Sequence, residues 1–329
     1  MSLGTPRVLL VNDDGPPGAE SPYIFGLYQH LTNHLKWNVR VVIPSSQKSW
    51  IGKAYHINEV TRGRYFYPRW PDGVEGETSD TPRPLKEQEV AEWILLDSTP
   101  ATCTNVALHN LYPGEIDLVI SGPNFGRNIS AAFSLSSGTV GAAMSAALSR
   151  TRAIAVSYGN VLRPIPIILH EPAHNLSVRI VEYLWTNWGK DPHGTRDGEV
   201  DLYNVNLPMI HKLLDPEGLQ VYWTRTWRNS YGRLFKHVPA VQGSQKELPL
   251  DNPNSLPGLV SAGSAAQADY LVFKFAPDFQ PLINPDLSTV PVGTDGWAFG
   301  MGHASVTPMR SGFAEVDFGG TDDQRELKL

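Results

Sequence analysis

Asp13 and Asp14 are the residues whose type and position point most directly to chemistry. They close the stretch Arg7 to Gly15, RVLLVNDDG. Its apolar run, Val8 to Val11, is too short for a helix and reads as a buried strand that delivers two carboxylates. Adjacent acids repel unless a proton or cation lies between them, and a hard divalent cation such as Mg²⁺ takes such oxygen ligands. Asp and Gly also form ordinary solvated turns, which is the competing reading. Ser49, Asn124 and Asn128 carry further oxygen donors in polar loops that follow apolar runs, and all of them could converge on one cation. Ser137, Gly138 and Thr139 open a small-residue helix. Its free N–H groups and hydroxyls suit a phosphate, or simply make an N-cap. Lys48 and Arg127, in the same loops, either neutralise phosphate charge or remain solvated.

The elements that would position these groups follow in order. After the first strand, Ser21 as N-cap and Pro22 at the first helical position precede Ile24, Leu27, Tyr28, Leu31 and Leu35, the spacing of one helix face. Trp37 to Pro44 is a second strand, so the two strands and their helix make a right-handed crossover. Gly52 to Val60 reads as extended, and Thr61 to Glu89, rich in Pro, Gly and charge, as an excursion from the sheet. Glu92 to Asp97, Ile116 to Ile120, Ala153 to Ser157 and Leu202 to Leu207 are further strands, the last of them closing the main sheet. Thr99 to Leu111, Val140 to Leu148 and His174 to Trp188 are helices. Strands apolar on both faces, separated by helices, predict an α/β fold: a parallel sheet covered on both sides, with ligands outside the carboxyl ends of its strands. From Pro208 the texture changes. Extended aromatic segments, Leu219 to Trp227 and Tyr270 to Phe275, flank the polar, Pro-rich stretch 239–257 and suggest hairpins or an arm.

Composition narrows the function. With 329 residues, 41% apolar and 18% charged, the chain can bury a full core, and a net charge of −6 gives no basic footprint for duplex nucleic acid. Cys103 is the single cysteine, so an internal disulfide is impossible, and it reads as a buried helix residue. No leader pattern opens the sequence and no apolar stretch approaches the ~20 residues of a bilayer span, so the expectation is a soluble, cytoplasmic protein without a membrane partner. A Walker phosphate loop, a G-x-G-x-x-G turn after the first strand, a G-x-S-x-G elbow and an H-E-x-x-H pair are all absent. His303 reads as structural. Trp223, Trp227, Tyr231 and Phe235 read as core or interface, with base stacking the alternative.

Five blocks stand out together: VNDDG at 11–15, PSSQKS at 44–49, DSTPATC at 97–103, SGPNFGRN at 121–128 and SSGTVGAAM at 136–144. In this order they resemble the SurE-type survival-protein phosphatases, a family of metal-dependent 5′(3′)-nucleotidases. The insertions and SVTPM at 305–309 look more like the larger fungal SurE-like acid phosphatases. The resemblance implies a three-layer Rossmann-like, mostly parallel sheet over 1–207, with an insertion at about 61–91. Residues 208–329 would complete the same domain as a C-terminal β-hairpin or arm extension that joins a homodimer or larger homo-oligomer. It also implies Mg²⁺ or Mn²⁺ on Asp13, Asp14, Ser49 and Asn124, with phosphate on Asn128, Ser137, Gly138 and Thr139. Asp13, Asp14 and Asn128 would be catalytic. The substrates would be nucleoside monophosphates and other phosphomonoesters. Metal-activated water is the simplest nucleophile, and an aspartyl-phosphate is the alternative. A non-catalytic nucleotide-binding module that keeps the metal pocket is the rival reading. Where the bacterial pattern has Gly after the ligand serine, this chain has Trp50.

Overall fold

The computed structural model describes residues 4–161, 164–238 and 271–314. The chain forms two compact units, Met1–Asn229 with Leu287–Leu329, and Ser230–Asp286.

The first unit begins with β1 (Arg7–Val11), α1 (Ile24–Gln29, continued by a wider turn over His30–His34) and β2 (Asn38–Pro44). Next come β3 (Gly63–Tyr67), β4 (Glu77–Ser79), β5 (Trp93–Leu96) and α2 (Pro100–Val106). β6 (Leu118–Phe125), α3 (Ser130–Ser136), α4 (Gly138–Leu148), β7 (Arg152–Asn160), α5 (His170–Thr186) and β8 (Leu202–Met209) follow, then β9 (Val221–Trp223). In the second unit β10 (Phe235–His237) and β11 (Phe273–Phe275) pair antiparallel, Phe235 opposite Phe275, before a short α6 (Gln280–Ile283). The chain then returns to the first unit with α7 (Asp295–Gly300) and β12 (Ala304–Met309).

Among the described residues, ten strands make one sheet in the order β4-β3-β5-β2-β1-β6-β7-β8-β12-β9. The run from β5 to β8 is parallel throughout. β1 shows why its apolar run has no polar face. Val8 and Leu10 pack with Ile24, Leu27, Val178 and Val181 from α1 and α5, whereas Leu9 and Val11 pack with Cys103, Val140 and Ala143 from α2 and α4. Successive strand residues point to opposite faces, so each face of the sheet has its own helical layer. This is the three-layer, mostly parallel α/β architecture expected. Thr99 caps α2 by accepting the Thr102 N–H, and Pro100 follows it, as the sequence suggested. Cys103 is fully buried there, and burial pushes its thiol pKa up. No single helix among the described residues is long and apolar enough to cross a membrane.

Five expectations need correction. Leu202 to Leu207 does not close the sheet: β12 pairs antiparallel with it, Val306 opposite Val205, and β9 lies outside β12. The segment Leu219 to Trp227 therefore supplies an edge strand of the main sheet, not a hairpin. Thr61 to Glu89 contains β3 and β4, which extend the other edge through antiparallel pairing of β3 with β5. Its Arg and Glu residues satisfy one another there, Arg83 reaching both Glu77 and Glu89. Ser21 is not the cap of α1, which starts after Tyr23 without a side-chain cap, because the Ser21 hydroxyl is bonded into the loop after β1. Gly52 to Val60 forms turns, not a strand. The stretch 239–257 and Tyr270 lie outside the described residues.

Candidate active site

β1 is flanked by β2 on one side and β6 on the other, with strands added outward in both directions. The loops after β1, β2 and β6 therefore leave the same edge at the point where the connections diverge, where open α/β sheets bind ligands.

The first loop is shaped by Asn12. Its Nδ2 donates to the Gly15 carbonyl at 2.7 Å and to Ser21 Oγ at 3.1 Å, and its Oδ1 accepts the Gly15 N–H at 3.1 Å. Gly15 has φ +83°, and a Cβ there would stand 3.2 Å from the Ser46 carbonyl carbon. Glycine thus allows both the left-handed turn and the close approach of the β2 loop. That loop is fixed by the Lys48 N–H, which donates to the Asp13 carbonyl at 2.7 Å. The β6 segment is fixed by the Phe125 N–H, which donates to Asp14 Oδ2 at 2.6 Å. Asp13 also meets the start of α4: Thr139 Oγ1 donates to Asp13 Oδ1 at 2.5 Å, and the N–H groups of Gly138 and Thr139 favour the same carboxylate. Ser137 caps α4 by accepting the Val140 N–H at 3.1 Å.

Asp13 is 2% exposed and Asp14 5%. Neither has an ion-pair partner among the described residues. Burial raises the Asp13 pKa against these hydrogen bonds; Asp14 is pushed well above the carboxylate range by burial first and by the Asp13 charge second. Two buried acids without a cation are costly, and a divalent ion would relieve both causes. Among the described residues no group of three or more His, Cys, Asp or Glu side chains is placed to hold a metal ion, so a cation here would draw its remaining ligands from neutral oxygens. Those donors are at hand in the two other loops, and carboxylate plus neutral oxygen suits Mg²⁺ or Mn²⁺. The residues fit the ion.

Asn124, almost fully buried, donates from Nδ2 to the Gly126 carbonyl at 2.9 Å. Ser49 lies beside Lys48 in the β2 loop; it is exposed and accepts a hydrogen bond from Gln47 Nε2. Asn128 is anchored more deeply. Its N–H donates to Asn206 Oδ1 at 2.7 Å and its Nδ2 to Ser157 Oγ at 2.9 Å. Its carbonyl accepts from Asn204 Nδ2 at 2.8 Å and Ser134 Oγ at 2.9 Å. Arg127 donates to the Asn160 carbonyl at 2.5 Å and stacks 4.6 Å over the Phe299 ring. The aromatic residues divide: Trp223 and Trp227 belong to the first unit, Tyr231 and Phe235 to the second. His303 lies against Tyr222, ring centres 4.8 Å apart.

Sequence reading missed the support beneath the β6 loop. Asp295, fully buried, accepts the N–H groups of Ser130 and Trp227 at 2.8 Å each and of Gly296 at 2.7 Å. It holds Ser130 in its left-handed turn, φ 66°, directly after Asn128 and Ile129. Burial pushes its carboxyl up to about 6. Asn204 and Asn206 had a readable signal: two amides at alternate positions of an apolar strand share one face and need buried partners. Nothing in the local sequence marks Asp295.

The family model of Survival protein SurE matches residues 8–233, and the chain belongs to this family. A Saccharomyces cerevisiae protein described as "Probable tubulin--tyrosine ligase PBY1" is 37% identical over 249 residues, covering 70% of this chain and 32% of the yeast protein. The chain thus spans about a third of that relative. The "5'-nucleotidase SurE" of Campylobacter lari is 28% identical over 243 residues, covering 66% of this chain and 80% of its own length. The crystal structure of a SurE protein from Aquifex aeolicus superimposes with a TM-score of 0.58 at 22% identity, over 93% of this chain and 94% of that one. At that identity the likeness concerns the fold.

Proposed function

We propose that the chain is a divalent-metal-dependent phosphomonoesterase that hydrolyses nucleoside 5′- and 3′-monophosphates, and that it extends to other phosphomonoesters under acid conditions. The observation that carries the reading is the pair of buried carboxylates Asp13 and Asp14, without an ion-pair partner among the described residues, at the sheet's point of divergence and against the N-terminus of α4. Kinship with proteins described as 5′-nucleotidases supports the choice of substrate.

Mg²⁺ or Mn²⁺, held by Asp13, Asp14, Asn124 and Ser49, would supply positive charge for the phosphoryl oxygens and Lewis-acid activation. The chain's own groups do the rest. Ser137, Gly138 and Thr139 present the N-terminal turn of α4, whose dipole favours an anion. Asn128 supplies a positioned amide from a rigid network, so it need not reorganise as charge shifts. Asp13 and Asp14 orient the reacting groups and are the residues whose loss removes catalysis. Assembly as a homodimer or larger homo-oligomer belongs to the same proposal. It is supported by the edge strand β9, where Val221, Tyr222 and Trp223 are exposed.

Phosphate release from nucleoside monophosphates with Mg²⁺, Mn²⁺ or EDTA tests the proposal. Metal-dependent release is expected. Tight nucleotide binding without release would make this a binding module instead.

A further inference from the structure

Helix α3 joins the two groups of residues assigned to phosphate. Asn128 stands two residues before it, and Ser137, which caps α4, follows it directly. Both ends of the helix are tied down. The Ser134 hydroxyl donates to the Asn128 carbonyl at 2.9 Å, and the Ser136 carbonyl accepts the Gly52 N–H at 2.9 Å. A shift of α3 would move Asn128 and Ser137 together.

The first turn of a helix has N–H groups without an intrahelical acceptor, and Ile129, at the N-cap position, has no side-chain oxygen to offer them. The acceptors come from distant parts of the chain. The Ser130 N–H donates to Asp295 Oδ2 at 2.8 Å, the Ala131 N–H to the Trp227 carbonyl at 2.8 Å, and the Ala132 N–H to Asn229 Oδ1 at 2.9 Å. The segment that supplies the last two is itself anchored. The Arg225 N–H donates to the Gly293 carbonyl at 3.0 Å and its carbonyl accepts the Asp295 N–H at 2.8 Å. The Trp227 ring lies so close to Gly296 that a Cβ there would stand 2.7 Å from its Cε3. Asn229 Nδ2 is buried and has no hydrogen-bond partner among the described residues, so this side chain is kept in place for its oxygen.

We propose that Asn229 is a positioning residue for phosphate binding: by capping α3 across the fold it holds Asn128 and Ser137 in register around one phosphate. This rests on the phosphomonoesterase reading and adds to it a residue outside the three site loops, one that acts through α3 and not by contact with substrate. The cation ligands Asp13, Asp14, Ser49 and Asn124 belong to β6 and to the loops after β1 and β2, not to α3. Loss of the cap therefore weakens phosphate binding and spares the cation.

The test is calorimetric binding of inorganic phosphate in the presence of Mg²⁺, and of Mg²⁺ itself, to wild type, Asn229→Ala and Asn229→Asp. Phosphate release from adenosine 5′-monophosphate is recorded in parallel. Asn229→Ala removes the acceptor, whereas Asn229→Asp keeps an oxygen there and gives up only the unpartnered Nδ2. Phosphate affinity falls about 10- to 100-fold in Asn229→Ala with Mg²⁺ affinity unchanged, and Asn229→Asp restores it. Wild-type phosphate affinity in a folded Asn229→Ala protein, or equal losses for phosphate and Mg²⁺, would overturn the positioning role. Should Asn229→Ala fail to fold, Asn229→Gln, which keeps the amide but moves its oxygen by one methylene, carries the same expectation and the same refutation. Wild type that binds phosphate without releasing it from the nucleotide would defeat the phosphomonoesterase reading and not the role of Asn229, which the affinities still decide. Wild type that binds no phosphate would overturn both.

Discussion

Gly138→Ala separates the candidate chemistry from the stability of the fold. A Cβ at this position would stand 2.7 Å from Asp13 Cβ and 2.9 Å from Asp13 Oδ2. Ordinary contact begins at about 3.4 Å, so Asp13 must retreat by roughly 0.7 Å, against a carbonyl held by Lys48 and a carboxylate held by Thr139. Displacement on the order of 1 Å at a catalytic group costs about 10²-fold in rate. The stability effect is small because two terms oppose: overpacking costs about 1–3 kcal/mol, and replacing glycine by alanine in a helix returns about 0.5–1 kcal/mol. Gly138 does not have the left-handed backbone that would add strain. The expected result is kcat/KM lower by about 10²-fold, with unfolding free energy reduced by no more than about 2.5 kcal/mol. Phosphate release and urea unfolding on the same preparation read both. Wild-type kcat/KM in a folded Gly138→Ala protein would refute the placement of Asp13 at the reacting phosphate.

Three further outcomes follow from the buried polar groups. His174 is buried beside Tyr158 and pushed down to about 3 by burial and by neighbouring His30 and His170; since the unfolded chain takes up that proton near pH 6.5, stability present above pH 6.5 is lost as pH falls toward 3. Urea unfolding at pH 7 and pH 5 should differ by about 2 kcal/mol from this group, and His174→Gln should flatten the difference; an unchanged slope contradicts it. Asp295→Ala leaves three N–H groups, two of them buried and that of Trp227 partly so, without their acceptor and should cost about 3 kcal/mol, with kcat falling as the Asn128 loop loosens; native stability and rate would show that the loop holds itself. Arg152 makes a bidentate pair with Glu199 at 2.8 and 3.0 Å, buried against Trp185 and Trp188, so Arg152→Ala should lower the unfolding free energy by about 3–5 kcal/mol, and a loss under 1 kcal/mol would show the pair to be dispensable.

The parts of the fold written in local pattern were legible in the sequence. Val8 to Val11 had to be a strand covered on both faces, and Thr99-Pro100 and Ser137 had to start helices, because each signal depends on a few adjacent residues. Asp13 and Asp14 stand at the end of that strand for the same reason, and the loops bearing Ser49 and Asn124 reach them as expected from a parallel sheet. What was not legible depends on distance along the chain. Asp295 meets Ser130 across 165 residues, and β12 joins β8 after an excursion through a separate unit. No local pattern encodes either pairing. Ser21 misled because its cap chemistry is spent on Gly15 and Asn12, a tertiary use that overrides local preference. The β3 and β4 strands were obscured by Arg and Glu residues that read as solvated but satisfy one another at a sheet edge.

Asp14→Asn, compared with wild type for phosphate release from adenosine 5′-monophosphate in Mg²⁺, Mn²⁺ and EDTA, is the most direct measurement of the chemistry proposed for this chain. Wild type should release phosphate only with metal, and the variant should lose about 10²-fold or more. In EDTA the variant should unfold at higher urea than wild type, because it removes the buried charge whose pKa burial and Asp13 both raise. Metal-independent release, or an active Asp14→Asn protein, would contradict a catalytic cation held between Asp13 and Asp14.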